Sequence, residues 1–305
     1  MNTPLVSVII PNYNHAQYLE KRIDTVLNQT YQNIEVIILD DKSTDNSLEV
    51  IEQYRNHPKV AQIVVNEQNT GSPFKQWDMG INLAKGELIW IAESDDYNEL
   101  TFLEELITEW NKHNDVVVAF SNYVMFWGEE FSKYKERKNQ CFKGDRFVRN
   151  RQARGNYILN ASGALFSKQK YNKISKEFLN YKSAGDYMFW VEMLKYGSVV
   201  KVNKNLTYWR QHNTSVTSKN QLKGILAKED KNVLEYIVEN YRLNKWQFKM
   251  ALTTHQRYHS GYAYENEEVK QKVYKLWNIK ETIYVPSKMI LRLMGIAERY
   301  LNILI

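Results

Sequence analysis

The chain has 305 residues, of which 43% are hydrophobic and 13% aromatic, and it carries a formal net charge of +6 at pH 7. This composition excludes an intrinsically disordered chain, and the length suits one large α/β domain or two smaller units. Cys141 is the only cysteine, so an intrachain disulfide and a cysteine-rich metal site are excluded.

The first 120 residues alternate short β-branched runs with segments of helical period. Strands are predicted over residues 6–10, 34–39, 61–65, 88–92 and 116–120, and helices between the first two strands and near 45–55, 74–85 and 99–112. The first helix has Leu19, Ile23 and Val26 on one face, with Asn14 as its expected cap. The alternation predicts a Rossmann-type, doubly wound and mostly parallel sheet, whose ligands gather at the carboxyl ends of the strands.

The sequence pattern changes twice beyond residue 120. Aromatic and basic residues interleave from about 121 to 215, and the chain then becomes mostly helical and lysine-rich. We therefore expect a catalytic domain over residues 1–217, with a nucleotide-binding half (1–120) and an acceptor half (121–217). A helical C-terminal extension is expected over residues 218–305.

Three carboxylates, Glu93, Asp95 and Asp96, follow directly on the fourth predicted strand. Like charges at a strand end repel each other unless a cation or a polar network offsets the repulsion. A divalent metal that bridges a diphosphate is the natural candidate, because Mg²⁺ and Mn²⁺ prefer carboxylate and phosphate oxygens. A helix cap at Asp96 accounts for the segment equally well.

Two further strand ends carry polar residues. Asp40 and Asp41 follow the second strand, where one carboxylate suits a base N–H and a turn with a helix cap explains the remainder. The segment PNYN (11–14) follows the first strand. In a parallel sheet these three strand ends converge on one crevice.

Four ordered blocks resemble the amino-terminal half of family 2 glycosyltransferases, which are inverting enzymes of the GT-A fold. They are SVIIPNYN (7–14), ILDDKSTDNS (38–47), NTG (69–71) and GINLAKGELIWIAESDDY (80–97). The resemblance covers about the first 100 residues, with further pieces to about residue 217. It implies a GT-A-like fold, a nucleotide-sugar donor and Mn²⁺ or Mg²⁺ as cofactor.

The resemblance also implies roles for residues within these blocks. Asp41 is expected to bind the uracil-like edge of the base. Asp95 is expected to ligate the metal, with Asp96 and Glu93 beside it, although Glu93 replaces the more usual Asp. Contacts with the nucleotide or donor are expected from Pro11, Asn12, Tyr13, Asn69 and Ser94.

A larger departure from the family lies in the helix before Gly80. Many relatives carry an alanine-arginine-asparagine run there, whereas this chain has Gln76, Trp77 and Asp78. We expect Lys75 to supply the missing positive charge toward the diphosphate.

The segment SAGDYMFW (183–190) resembles the part of the family that holds the catalytic base, with Gly-Asp in place of the usual Glu-Asp. Asp186 is expected to take the proton of the acceptor hydroxyl, and a helix N-cap is its alternative role. The segment YWRQHN (208–213) is similar to the family's tyrosine-arginine-x-histidine ending. Arg210 or His212 is expected to contact the leaving diphosphate. His212 is a further candidate metal ligand, although a lone histidine is more often structural.

The sequence thus predicts an inverting glycosyltransferase that moves a sugar from a UDP-linked donor to a hydroxyl of a glycan or lipid-linked acceptor, as in bacterial surface polysaccharide synthesis. A sugar-nucleotide nucleotidyltransferase should have a glycine-rich phosphate loop where this chain has PNYN (11–14). A non-catalytic nucleotide-binding module needs no base such as Asp186. Dinucleotide and P-loop enzymes are disfavoured, since no GxGxxG or GxxxxGK[ST] follows a strand.

Partners and location follow from charge and hydropathy. The basic stretch 133–154 suits a solvated loop or a phosphate-bearing acceptor, and no nucleic-acid partner is expected. Residues 288–305 form an apolar stripe at helical spacing, which suits a membrane interface or packing on the protein itself or a partner. Neither a signal peptide nor a membrane-spanning stretch is expected, so we predict a cytoplasmic protein, at most peripheral at the inner face of the cytoplasmic membrane.

Overall fold

A computed structural model of the chain describes residues 3–127, 130–132, 134–211 and 216–280. The chain divides into two compact units. The sheet unit comprises Met1–Val148, Tyr157–Tyr181 and Gly185–Asn213, and the helical unit comprises Arg149–Asn156, Lys182–Ala184 and Thr214–Ile305. The domain boundary expected after residue 217 stays a prediction. His212 and the stripe over 288–305 lie outside the described residues.

The sheet unit contains one mixed sheet with ten strands among the described residues. They are β1 (Val6–Asn12), β2 (Ile34–Asp40), β3 (Val60–Val65), β4 (Leu88–Ile91), β5 (Tyr97–Asn98), β6 (Val116–Trp127), β7 (Glu130–Ser132), β8 (Gln140–Lys143), β9 (Ala164–Ser167) and β10 (Ser198–Arg210). The strand order is β3-β2-β1-β4-β9-β6-β10-β5, with β7 on β6 and β8 on β10.

The helices are distributed along the chain as follows. The first seven are α1 (Ala16–Leu27), α2 (Ser47–Glu52), α3 (Pro73–Leu83), α4 (Phe102–Trp110), α5 (Gly144–Asn150), α6 (Lys168–Tyr171) and α7 (Gly185–Met193). The last four are α8 (Val216–Leu222), α9 (Ile225–Tyr241), α10 (Lys245–Ser260) and α11 (Glu267–Trp277). Short 3₁₀ turns cover Gln152–Arg154, Ala161–Gly163, Glu177–Asn180 and Leu194–Tyr196.

The first four strands in the sheet order form the parallel half. β1 pairs in parallel with both β2 and β4, and β2 pairs in parallel with β3. The apolar runs of β1, β2 and β4 are buried, as expected for strands that helices cover on both faces, whereas β3 at the edge of the sheet is only partly buried. The predicted doubly wound α/β fold is therefore confirmed.

Beyond β4 the sheet becomes mixed. β9 lies antiparallel between β4 and β6, and β6 then pairs in parallel with β10. The parallel ladders still hold most of the paired residues of the sheet. Because β9 comes from the second half of the chain, that half completes the sheet against the strand that carries the three acids.

One local expectation is wrong. Asn14 does not cap α1. The helix begins at Ala16, so His15 is the N-cap residue, and its side chain makes no capping hydrogen bond. Asn14 instead adopts a left-handed conformation with φ of 57°, and its side-chain oxygen accepts from the backbone N–H of Thr44 at 2.7 Å. Asn14 therefore joins the turns that follow β1 and β2.

The helical unit is built largely from α8 to α11. Asn244 forms a capping box with Gln247 at the start of α10, which satisfies two orphan backbone N–H groups. Trp277 of α11 is buried and donates from Nε1 to the carbonyl oxygen of Ala227 at 3.0 Å. Burial lowers the pKa of His255 in α10 to about 4, so its imidazole is neutral at pH 7.

No helix in the described part of the chain is long and apolar enough to cross a membrane.

Candidate active site

The three polar strand ends that the sequence singles out meet along one edge of the sheet. Asn12 in β1 is in register with Asp40 in β2, and Ile9 of β1 is in register with Ile91 of β4. Residues that follow β1, β2 and β4 therefore lie side by side. This edge is the carboxyl end of the parallel half, where open α/β sheets bind their ligands.

The first strand end is tied to the second by hydrogen bonds. Nδ2 of Asn12 donates to Oδ2 of Asp40 at 2.8 Å and to Oγ of Ser43 at 3.2 Å, within the buried interior. Tyr13 follows with 46% of its surface exposed. Asn12 thus has a structural role in joining the turns, whereas Tyr13 presents an aromatic ring at the edge. Pro11 is buried in β1.

Asp41 is buried and its carboxylate is surrounded by donors of the protein itself. Oδ1 accepts from Asn66 Nδ2 at 2.7 Å, from the Thr70 backbone N–H at 3.0 Å and from Gln76 Nε2 at 2.9 Å. Oδ2 accepts from the Thr70 hydroxyl at 2.9 Å. A carboxylate offers about four lone-pair positions, so these donors occupy its capacity. The expected hydrogen bond to a base requires one of them to move away.

The third strand end holds the acids Glu93, Asp95 and Asp96. Oδ2 of Asp96 accepts from Asn160 Nδ2 and from Ser162 Oγ, each at 2.8 Å, and Oδ1 accepts from the Arg210 backbone N–H at 3.0 Å. The turn at Asn160 and Ser162 therefore fixes Asp96, which is fully committed to the protein. Glu93 and Asp95 are both half-buried, whereas Asp96 is buried, so Glu93 and Asp95 are the acids of this strand end with access to solvent.

The family departure at Gln76, Trp77 and Asp78 is built into the same region. Gln76 donates to Asp41, as described, and Trp77 donates from Nε1 to Oε1 of Glu93 at 2.8 Å. Asp78 pairs with Lys176 at 2.8 Å and accepts from the Tyr171 hydroxyl. Two of the three replacements thus contact acids of the site through neutral N–H donors, where the family places an arginine.

Burial and mutual repulsion shift the titration of these acids. Burial, followed by the charge of Asp95, raises the pKa of Glu93 to about 8. The same two causes, in the same order, raise the pKa of Asp96 to about 7. Proton binding is therefore favoured at both positions when no cation is bound, and a divalent cation would compete with those protons.

Arg22 is a site residue that the sequence analysis missed. It is fully buried on α1, donates from Nε to the Glu93 carbonyl oxygen at 2.9 Å and donates from a terminal nitrogen to Asn98 Oδ1 at 2.8 Å. Its buried guanidinium is a positive charge close to the three acids. Burial lowers the pKa of Arg22 to about 10, and the negative charges of Asp96, Asp95 and Glu93 oppose this lowering. The signal was available, because Arg22 falls between Leu19 and Ile23 on the apolar face of the helix.

Arg210 ends β10 beside the acidic segment. Its Nε donates to the Asp95 carbonyl oxygen at 2.9 Å, and its guanidinium carbon lies 4.1 Å from the centre of the Tyr18 ring and 4.6 Å from that of Phe126. Stacking of this kind holds a guanidinium in place. Arg210 is thus fixed next to Asp95, in keeping with a role toward an anion held there.

The remaining expected donor contacts are distributed around this edge. Ser94 is buried and its hydroxyl lies 2.8 Å from Nδ1 of His15, a residue that the sequence analysis did not single out. Asn69 is exposed and accepts from the Gly71 backbone N–H at 2.6 Å, while Lys75 is exposed on α3. The structure brings Ser94 to the acids and places Asn69 and Lys75 at the surface.

Asp186 lies in the first turn of α7, and its Oδ1 accepts from the backbone N–H of Tyr187 at 2.8 Å. The preceding Gly185 packs against the ring of Phe74, which contacts Trp77 edge to face with 5.2 Å between the ring centres. Trp77 in turn donates to Glu93. Asp186 is therefore linked to the acidic strand end through one chain of packed aromatic side chains.

We expect Gly185→Ala to destabilise the sheet unit by about 1–3 kcal/mol, the usual cost of overpacking. An added Cβ would lie 2.5 Å from Cε2 of Phe74, and that ring is buried and packed on Phe178. Denaturant unfolding of the single variants and of Gly185→Ala with Phe74→Leu measures the effect. The double variant should recover part of the loss, and a cost unchanged by Phe74→Leu would show that the clash is not with this ring.

The stability of the metal-free protein should fall as the pH rises from about 5 to about 8. The unfolded chain releases the Glu93 proton near pH 4.5, whereas the folded protein keeps it until about pH 8. The folded protein therefore holds one more proton than the unfolded chain across this window, and Glu93→Gln should lessen the fall by about 3–4 kcal/mol. Urea unfolding in a chelator between pH 5 and 9 tests this, and parallel curves for the two proteins would contradict it.

The donor set at this edge suits a divalent cation with a strong preference for oxygen. Asp95, together with the second carboxylate oxygen of Glu93, would hold the ion, and Asp96 would support it from behind through its charge. Burial, followed by the charge of Asp95, raises the pKa values of Glu93 and Asp96, and a bound cation would favour their charged forms. Carboxylate oxygens are the ligands that Mn²⁺ and Mg²⁺ prefer, but the three acids do not bring one oxygen each within 4.8 Å of one another in the described structure.

Comparison with known proteins relates this geometry to a sequence family. Residues 7–175 match the sequence profile of Glycosyl transferase family 2. The chain is 31% identical over 226 residues to Glycosyltransferase GlyG of Streptococcus pneumoniae, which covers 70% of this chain and 72% of that protein. It is 33% identical over 135 residues to the poly(ribitol-phosphate) beta-N-acetylglucosaminyltransferase TarS of Staphylococcus aureus, covering 43% of this chain and 23% of TarS.

Two solved structures share the fold. Residues 1–349 of S. aureus TarS in complex with UDP-GlcNAc superpose with a TM-score of 0.70 at 19% identity, covering 89% of this chain and 79% of that chain. The mannosyltransferase PcManGT of Pyrobaculum calidifontis, in complex with GDP-Man and Mn²⁺, gives a TM-score of 0.58 at 14% identity and covers 96% and 80%. The match to the family over more than half of the chain, on a GT-A fold, shows that the chain belongs to glycosyltransferase family 2.

Proposed function

We propose that this chain is an inverting glycosyltransferase that transfers a sugar from a UDP-linked donor to a hydroxyl of a glycan or lipid-linked acceptor. The observation that carries the proposal is the acidic strand end at Glu93, Asp95 and Asp96, joined through Trp77 and Phe74 to the helix of Asp186. Membership of the family supports sugar transfer as the reaction class.

The donor half of the mechanism concerns the leaving diphosphate. Asp95 and Glu93 would hold Mn²⁺ or Mg²⁺, which supplies positive charge against the diphosphate as its bond to the sugar breaks. The Mn²⁺ in the PcManGT complex supports this choice of cofactor. Arg210, stacked between Tyr18 and Phe126, adds a fixed positive charge on the same side.

The acceptor half of the mechanism depends on Asp186. Its carboxylate takes the proton of the acceptor hydroxyl while that oxygen forms a bond to the anomeric carbon. The bond between the same carbon and the diphosphate oxygen breaks on the opposite face. A single in-line displacement of this kind inverts the anomeric centre and leaves the proton on Asp186.

The donor is proposed to carry uridine. The TarS complex contains UDP-GlcNAc, and Asp41 at the second strand end is the residue assigned to the uracil edge. We expect UDP to bind more tightly than GDP or ADP, by about tenfold or more, because only the uracil edge is expected to replace a donor that withdraws from Asp41, and a lost hydrogen bond to a buried carboxylate costs on the order of 1–3 kcal/mol. Calorimetry with the three nucleotides in Mn²⁺ tests this, and equal affinities would refute it.

The acceptor is proposed to belong to bacterial surface polysaccharide synthesis. TarS is named for transfer to poly(ribitol-phosphate), an acceptor rich in phosphate. The protein is placed at the cytoplasmic face of the membrane in this proposal, with residues 288–305 as the peripheral contact. Transfer from radiolabelled UDP-sugars to glycan and to lipid-linked acceptors, compared in one assay, identifies the acceptor class.

A further inference from the structure

The helical unit contains a compact cluster of metal-ligating side chains away from the acidic strand end. Asp230 comes from α9, and His255 and His259 lie one turn apart on α10. One ligand atom from each of the three lies within 4.8 Å of the others. Both histidines are 1% exposed and Asp230 is 7% exposed, so the cluster is shielded from solvent.

Trp277 holds both imidazoles in fixed orientations. Its indole stacks on His255 with 4.8 Å between ring centres and on His259 with 5.1 Å, at interplanar angles of 11° and 24°. The indole of Trp277 therefore packs against both imidazoles and restricts their rotation. The cluster is therefore preorganised, as a binding site requires.

The polar atoms of the cluster lack complete hydrogen bonding within the protein. Nε2 of His259 is buried and makes no hydrogen bond, although Oδ2 of Asp230 lies 3.2 Å away. In the described part of the chain, His259 is the one ion-pair partner of Asp230. A buried ring nitrogen without a hydrogen-bond partner is costly, and a cation shared with Asp230 would satisfy it.

The third member, His255, is held in the tautomer that a metal ligand needs. Its Nε2 lies 3.3 Å from the carbonyl oxygen of Ala153, which can only accept a hydrogen bond. The proton therefore sits on Nε2, and Nδ1 carries the lone pair. Metal-bound histidines usually donate their other ring N–H to a carbonyl or carboxylate in this way.

We propose that Asp230, His255 and His259 bind a zinc ion that fastens α9 to α10. Two imidazole nitrogens and one carboxylate oxygen form a donor set that suits Zn²⁺, whereas Mg²⁺ and Mn²⁺ favour oxygen. The site differs in chemistry and position along the chain from the oxygen-rich strand end. Its role is to stabilise the helical unit, because the cluster is buried and the metal would join two helices.

The experiment uses the full chain and ZnCl₂ alone. Protein stripped with a chelator and dialysed is loaded with ZnCl₂, freed of excess metal, and examined for zinc content and melting temperature. We expect about one zinc per chain and a rise in melting temperature of about 5 °C or more for the helical unit. His259→Ala should lose both effects, and the matched control His113→Ala, in the sheet unit, should keep them.

Asp230→Asn keeps the side-chain volume and provides a second variant if His259→Ala does not fold. Asp95→Ala should retain the zinc, which separates this site from the proposed catalytic metal. Zinc retained equally by wild type and His259→Ala would overturn the proposal. So would a wild type that keeps no zinc and whose melting temperature ZnCl₂ leaves unchanged, and the three residues would then form a core of packed and paired side chains.

Discussion

Asp186→Asn is expected to lower the rate of sugar transfer by about 10²–10⁴-fold at saturating donor and acceptor, the usual effect of removing a general base. The amide keeps the size of the side chain but cannot take the acceptor's proton. Nucleotide binding should persist, because Asp186 lies on α7 whereas the polar strand ends follow β1, β2 and β4. Initial rates of transfer, with nucleotide affinity measured on the same protein, test the expectation.

The alternative role of Asp186 as a cap has a distinct signature. The carboxylate accepts from the Tyr187 backbone N–H, and losing such a bond costs about 0.5–2 kcal/mol of stability. A cap would therefore appear as a lower melting temperature with near-normal turnover below it. Glu177→Gln, an exposed acid in a neighbouring turn, is the matched control and should change neither quantity. Near-normal turnover of a folded Asp186→Asn protein would place the base elsewhere.

Asp95→Ala is expected to weaken metal-dependent binding of the nucleoside diphosphate by about 100-fold or more and to reduce transfer at least as strongly. Asp95 is half-buried, whereas Asp96 is buried and hydrogen-bonded to Asn160 and Ser162, and Glu93 accepts from Trp77. Loss of a carboxylate ligand removes both a donor atom and a charge from the metal site. Calorimetry of UDP binding with and without Mn²⁺ measures the change.

The metal dependence has its own comparison. The wild type in excess chelator should bind UDP as weakly as Asp95→Ala does in Mn²⁺, because both lack the bridging cation. Glu49→Ala, which removes an exposed acid from α2, should bind as the wild type does. Undiminished UDP binding and transfer in chelator would assign another purpose to the acids.

The parallel half of the fold was predictable because its signals are local. β1, β2 and β4 are short β-branched runs, and the order of the four blocks places their ends on one edge. The insertion of β9 between β4 and β6 was not predictable in this way, because it joins segments about 75 residues apart and depends on packing. Long-range pairing of this kind has no signature in the spacing of residues.

The site was predictable in its acids and less so in what surrounds them. Glu93, Asp95 and Asp96 are visible as a charged strand end, whereas the charge beneath them comes from Arg22 on a helix more than 70 positions earlier. The sequence shows that Trp77 stands where many relatives have an arginine. The hydrogen bond from Trp77 to Glu93, however, becomes visible only in the structure. The features of the site that the sequence did not predict are therefore mostly side-chain contacts between residues far apart in the chain.

The closed hydrogen-bond shell of Asp41 has a consequence for nucleotide affinity. Asn66, Thr70 and Gln76 satisfy the carboxylate, so in the proposed mode of binding a base would reach it only in the fraction of molecules in which one donor has withdrawn. The observed dissociation constant is then the intrinsic one divided by that fraction. In the proposed mode of binding, base binding and rearrangement of the 66–70 segment are linked equilibria, and the nucleotide would select the fraction of molecules in which a donor has withdrawn.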